Sequence, residues 1–141
     1  MALLILIPLL ASGSISAGQT VQRGKLTVEI SGVNKGKGPV RVSLWRTADG
    51  FLKGRAYRHG SVDATADTVR INFEGLEPGQ YAVNAFNDEN NNGRLDTGFM
   101  GKPKEPFGFS NNARRTFGPP SFADAAFDMA AESKLIKFQL K

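Results

Sequence analysis

The chain has 141 residues, a formal net charge of +5, one histidine and no cysteine. That length suits one domain with a real core, and the missing cysteines exclude disulfides, thiol catalysis, haem attachment and cysteine-zinc sites together. The Lys and Arg residues are spread along the chain instead of clustered, so the charge favours anionic neighbours such as envelope polymers or lipid headgroups, and nucleic-acid binding is not expected.

The N-terminal stretch "MALLILIPLLASGSISAGQ" is an uncharged apolar run over residues 2–10, then small residues, with Arg23 the first charged side chain. The run is too short to cross a bilayer as a helix, and Pro8 with the Ser/Gly/Ala segment behind it suits a secretory h-region and its cleavage site. Residues 1–18 are therefore expected to be a signal peptide, cleaved between Gly13 and Gly18, although its start lacks the usual Lys or Arg. An apolar N-terminal strand is the alternative. Export places residues 19–141 as a single domain in the periplasm or outside the cell, with membrane association at most peripheral.

From Leu26 onward the apolar residues recur with a period of two, the pattern of half-buried strands. Leu26, Val28 and Ile30 share one face, then Val40, Val42 and Leu44, then Val69, Ile71 and Phe73, then Tyr81, Val83 and Ala85. Near the end Ile136, Phe138 and Leu140 repeat it. Turn signals such as "NKGKGP" and "EGLEPGQ" separate the runs. One helical turn is expected at "PPSFADAAF", with Ser121 as cap and Asp124 three residues on, followed by a return to strand at residues 125–129. The spacing predicts an all-β fold, a single antiparallel β-sandwich of about seven strands with one long ordered loop.

That loop, residues 88–120, has no clear periodicity, and loops of such length are uncommon unless functional or held by something. Its first part reads "NDENNNGRLDTGFMG". With Asp88 at position one, Asn90 and Asn92 fall at three and five, Gly93 at six, Arg94 at seven and Asp96 at nine, the spacing of a calcium loop. A hard cation takes six to eight oxygens, and alternate residues of a curling loop point inward. Arg94 contributes only its carbonyl oxygen, Leu95 anchors the loop, and Glu89 and Glu105 are available to complete the shell. Position twelve is Phe99 instead of Glu and the flanks are not helices, so this is no EF-hand. The expected cofactor is one weakly held structural Ca2+; the competing reading is an ion-free turn in which Asn and Asp side chains bond nearby backbone.

The remainder of the loop, "EPFGFSNNARRTFGPPSF", sets four phenylalanines beside Arg114 and Arg115. Aromatic rings and guanidinium groups together make a shallow ligand site; alternatively Phe107, Phe109, Phe117 and Phe122 pin the loop and the arginines are solvated. His59 has no partner at recognisable spacing and reads as a surface residue. No G-x-S-x-G nucleophile motif is present, and no carboxylate pair stands out for glycoside hydrolysis. Trp45 falls on the face opposite Val42 and Leu44, as a rim residue or an exposed aromatic for a partner.

Taken together, Leu76, Pro78, Gly79 and Tyr81, then Asp88, Asn90, Asn92, Gly93, Leu95 and Asp96, then Gly101, Pro103, Glu105 and residues 108–111, then residues 118–122 with Ala125, form a run of motifs. This run resembles the bacterial family of exported single-domain proteins known as DUF2141, over about residues 24–141. The resemblance implies envelope localisation and supplies no activity. The "GLEPGQYAV" element is also similar to the strand entry of prealbumin-like (transthyretin-like) sandwiches, some of which carry calcium loops in bacterial adhesins. The hydrolases on that sandwich need several histidines and a tyrosine-rich tail, which this chain lacks. The functional expectation is an exported, non-catalytic module with a calcium-stabilised loop and an envelope protein or glycan as partner. The alternative is a small-ligand carrier or hydrolase using a cleft between the 88–96 loop and the 105–122 segment, with Glu105, Arg114 and Arg115 as its working groups.

Overall fold

The structure, a computed structural model, describes residue 18 and residues 20–141; the expected signal peptide, apart from its last residue, lies outside the described residues. Eight strands and one helical turn follow in order: β1 (Gly24–Ser31), β2 (Pro39–Trp45), β3 (Arg58–Asp63), β4 (Thr68–Leu76), β5 (Gly79–Asn87), β6 (Phe107–Phe109), α1 (Phe122–Ala125), β7 (Phe127–Met129) and β8 (Ser133–Gln139). The five alternating runs all became strands, and the expected return to strand after the helical turn is β7.

Two strands escaped the alternation argument for physical reasons. On β3 the inward positions are Arg58, Gly60 and Val62, so no apolar row marks the strand. Gly60 lets Ile71 of the facing sheet lie close, since a Cβ there would push the Ile71 Cδ1 methyl aside. β6 is only three residues, with a glycine at its centre.

The strands form two sheets, β4-β1-β8 and β3-β2-β5-β6. β7 joins the second end to end with β6, pairing Gly79, Gln80 and Tyr81 of β5 while β6 pairs Asn84, Ala85 and Phe86. Among the described residues every strand pairing is antiparallel except one: β1 and β8 run parallel from Lys25↔Ser133 to Ser31↔Gln139. Parallel neighbours need a long crossover, and the segment after β5 supplies it by carrying the chain back to the far edge of the first sheet.

Between the sheets lie Leu26, Val28, Ile30, Val42, Leu44, Phe73, Val83 and Phe138, all buried. Tyr81 is buried among them with its hydroxyl donating to the Glu77 carbonyl at 2.7 Å, as a buried phenol requires. A second cluster covers the outer face of the larger sheet, where Trp45, Ala82 and Phe109 meet Phe51, Phe122 and Ala125. Trp45 is therefore no rim residue. It is 8% exposed, packs edge-on against Phe51 at 5.5 Å, and its indole N–H donates to Asn84 Oδ1 at 2.7 Å.

α1 has the expected capping box: Ser121 Oγ accepts from the Asp124 amide at 3.2 Å, and the Asp124 carboxylate accepts from the Ser121 amide at 2.9 Å. Buried Ser110 ties this turn to β5, its Oγ accepting from the Val83 amide at 2.9 Å and donating to the Ala125 carbonyl. The long loop is thus built and anchored at several points. Thr97 bridges Pro103, with the Gly98 amide donating to the Lys102 carbonyl at 2.7 Å, and a 3-10 turn at Phe99–Gly101 forms the tip.

Candidate functional site

β5 ends at Asn87, and the next residue turns inward: Asp88 donates its backbone N–H to the Pro39 carbonyl at 2.8 Å and its side chain is fully buried. The Val40↔Asn87 register sets Arg41 beside it. Asp88 Oδ2 accepts from Arg41 Nε at 2.5 Å and from the Gly93 amide at 2.8 Å, and Oδ1 accepts from the Asn92 amide at 3.1 Å. Arg41 Nη2 continues to Asn91 Oδ1 at 2.8 Å. Burial pushes the Asp88 carboxyl up, but the Arg41 guanidinium and the two backbone amides outweigh it and hold the group below the ordinary aspartate range. Gly38 makes room: its φ is +63° and a Cβ there would lie 1.9 Å from the Asp88 carbonyl oxygen.

Asp96 closes the turn from the other side. Its carboxylate accepts from Asn90 Nδ2 at 2.7 Å and from Asn92 Nδ2 at 2.8 Å, while Asn92 Oδ1 accepts from the Arg94 amide at 3.1 Å. Glu105 is buried beneath the loop and clamps it, Oε1 accepting from the Glu89 amide and Oε2 from the Asp96 amide, each at 3.0 Å. The Glu89 side chain reaches outward to Asn34 Nδ2 at 2.6 Å. Among the described residues no buried side-chain nitrogen or oxygen is left without a partner.

The structure therefore brings Asp88, Asn90, Asn92 and Asp96 into one hydrogen-bonded turn, with the Arg94 side chain exposed. The turn offers two carboxylates and two amide oxygens, donors of the type a hard cation takes. Arg41 already neutralises Asp88, so an ion entering here competes with that guanidinium. Among the described residues no three His, Cys, Asp or Glu side chains gather as a metal-ligating group.

Beside the turn lies a cleft of about 740 Å³ between the 95–103 hairpin and the 112–120 segment, walled by Leu95, Met100, Phe107, Phe109 and Phe117. Its charged lining residues are Lys102, Arg114 and Arg115. Arg115 is anchored, Nε donating to Asp124 Oδ2 at 2.9 Å. The two arginines expected at a ligand site do line the cleft; Glu105 does not, because both its oxygens face the turn. Of the four phenylalanines expected to pin the loop, Phe109 and Phe122 are buried and Phe107 packs against them, whereas Phe117 stands in solvent. His59 sits on the exposed face of β3, its Nδ1 3.1 Å from Ser43 Oγ. Arg41 is the residue that sequence reasoning missed. In "PVRVS" it occupies an outward position of an alternating strand, which reads as a solvated side chain, and only the strand register reveals its partner.

The family model described as "Uncharacterized protein conserved in bacteria (DUF2141)" matches residues 28–137. The chain belongs to the DUF2141 family. No curated protein and no solved structure matches it. In this DUF2141 chain the matched stretch runs from within β1 to within β8 and takes in both the braced turn and the cleft.

Proposed function

We propose that this DUF2141 protein is an exported, non-catalytic binding module that uses the cleft between the 95–103 hairpin, which follows the braced 88–96 turn, and the 107–120 segment as its ligand surface in the bacterial envelope. The observation that carries this reading is a concave apolar wall whose charged groups are all basic, held in place by a fully hydrogen-bonded turn. Such a site suits an apolar or sugar-like group bearing negative charge, supplied by an envelope glycan or protein. Among the described residues the lining has no carboxylate and no histidine, which favours a carrier or binding role over hydrolysis, since general acid–base chemistry needs a titratable pair within reach. The test is titration with anilinonaphthalene sulfonate, an apolar aromatic anion. Saturable binding at one site, weakened about tenfold by an Arg114→Ala, Phe117→Ala double variant of unchanged stability, supports the reading. Binding that does not saturate, or that ignores the double variant, overturns it.

A second element of the proposal is structural calcium in the 88–96 turn, favoured by the convergence of Asp88, Asn90, Asn92 and Asp96 in one turn, with the Arg94 carbonyl at the position where such loops supply a backbone oxygen. With so few carboxylates the affinity belongs to the weak extracellular class, Kd about 0.1 to 1 mM, and the ion stabilises the folded loop by mass action. Calorimetric titration with calcium, and melting in calcium and in chelator, test it beside an Asp88→Ala, Asp96→Ala variant. One bound ion and a raised melting temperature in the wild type alone are expected; no response up to about 10 mM calcium leaves the turn held by Arg41 and Glu105.

A further inference from the structure

We infer that the lip of the cleft docks on an anionic phospholipid bilayer. This rests on the reading of the cleft as a binding surface and names its partner. Phe99, Met100 and Phe117 are 89%, 88% and 89% exposed, the highest values among the described large apolar residues. They stand on two loop tips, and Met100 and Phe117 border the same cleft from opposite sides. Met100 and Phe117 form the rim of the cleft and, with Phe99, leave nearly all of their surface in solvent, the arrangement that inserts into a lipid interface.

Met100 adds a conformational argument. Its backbone is left-handed, φ 57° and ψ 29°, a region that glycine or asparagine enters at lower cost. No packing within the protein compensates, since the side chain lies in solvent. A strained residue holding an apolar group outward is better matched to an external partner than to the fold.

The charge pattern completes the case. Lys102 and Arg114 line the lip without an ion pair among the described residues, and Lys104 and Arg94 are exposed on the same hairpin system. Of the nearby carboxylates, Asp124 is paired with Arg115, and Asp96 is turned to the Asn90 and Asn92 amides, away from the residues that line the lip. Basic side chains around apolar tips match anionic headgroups above an acyl interface. No helix among the described residues is long and apolar enough to cross a membrane, and the docking proposed here is peripheral.

The experiment is co-sedimentation with vesicles of about one-third phosphatidylglycerol in phosphatidylcholine, against pure phosphatidylcholine, at low and at about 0.5 M salt. All variants are compared in the same chain, so any contribution of residues 1–18 is common to them. Binding is expected to require the anionic lipid and to weaken in salt. It is expected to fall about fivefold for Lys102→Gln or Arg114→Gln and about tenfold for Phe117→Ser or Met100→Gly. Met100→Gly suits the left-handed backbone, so its urea midpoint should not fall, and lost binding then reports the tip and not the fold. Absence of binding to anionic vesicles, or binding that all four variants share equally, overturns the inference. If anilinonaphthalene sulfonate still binds in that case, a glycan or protein is the partner and the cleft reading stands; if neither binds, the cleft reading fails with it.

Discussion

Replacing Asp88 by Asn changes one charge and almost no volume, which makes it the sharpest probe of the braced turn. Asp88 is fully buried and accepts from Arg41 Nε, the Gly93 amide and the Asn92 amide. An asparagine keeps one acceptor oxygen, which best serves Arg41 Nε and the Gly93 amide at the Oδ2 position, so its NH₂ group then faces the N–H donor of Asn92. The charge lost from the bond to Arg41 is worth about 1.5 to 3 kcal/mol; the lower end applies because the Arg41 side chain is 33% exposed and rehydrates. The Asn92 N–H left facing a donor costs about 1 to 3 kcal/mol. Asp88→Asn should therefore destabilise by about 3 kcal/mol, or about 10 °C in melting temperature for a domain of this size. Urea unfolding followed by Trp45 fluorescence measures it, with an unchanged m-value confirming that stability alone has moved. A cycle with Arg41→Gln should show coupling of at least about 1 kcal/mol. A variant within about 0.5 kcal/mol of wild type would refute the claim that the buried carboxylate braces the loop.

Glu105→Gln should cost about 2 to 3 kcal/mol by the same argument, because one of the two amides now met at 3.0 Å would face an NH₂ group; amide exchange at Glu89 or Asp96 should accelerate, and unchanged protection would count against the clamp. Gly38→Ala should destabilise by more than about 2 kcal/mol, since the added methyl meets the Asp88 carbonyl and the backbone is left-handed; a neutral urea midpoint would contradict that packing. Acid lability follows from three carboxylates held below their ordinary range. For Asp88 the Arg41 and backbone bonds outweigh burial; for Glu29 the main cause is the Arg70 hydrogen bond, and for Asp124 the Ser121 bonds. With the folded-state pKa depressed, the stabilisation is present above the unfolded value and is lost as pH falls below about 4. Urea midpoints should therefore drop on that limb, and less steeply in Asp88→Asn.

What the sequence made legible is the local part of the structure. Period-two rows such as Leu26, Val28 and Ile30 announce their strands because one face of each is buried. Ser121 and Asp124 announce a capped turn because both partners lie three residues apart. The 88–96 turn is visible for the same reason, its Asn and Asp spacing being a short-range pattern. The missing pieces depend on contacts far apart in the chain. Arg41 meets Asp88 only through the β2–β5 register, and the parallel β1–β8 pair depends on where a long crossover delivers the last strand. Glu105 could be placed near the turn by its chemistry, but not assigned to backbone amides in place of the cleft. Likewise Phe107 and Phe117 look alike in sequence, and only the three-dimensional path packs one, half-buried, against Phe109 and leaves the other at the lip.

The most direct test of the binding reading is a map of amide chemical shifts on titrating the isotope-labelled protein with anilinonaphthalene sulfonate. The account predicts saturable shifts concentrated at Phe107, Phe109 and residues 113–118, with little change along β1, β4 and β8. Shifts scattered over the surface, or centred on the opposite sheet, would contradict it.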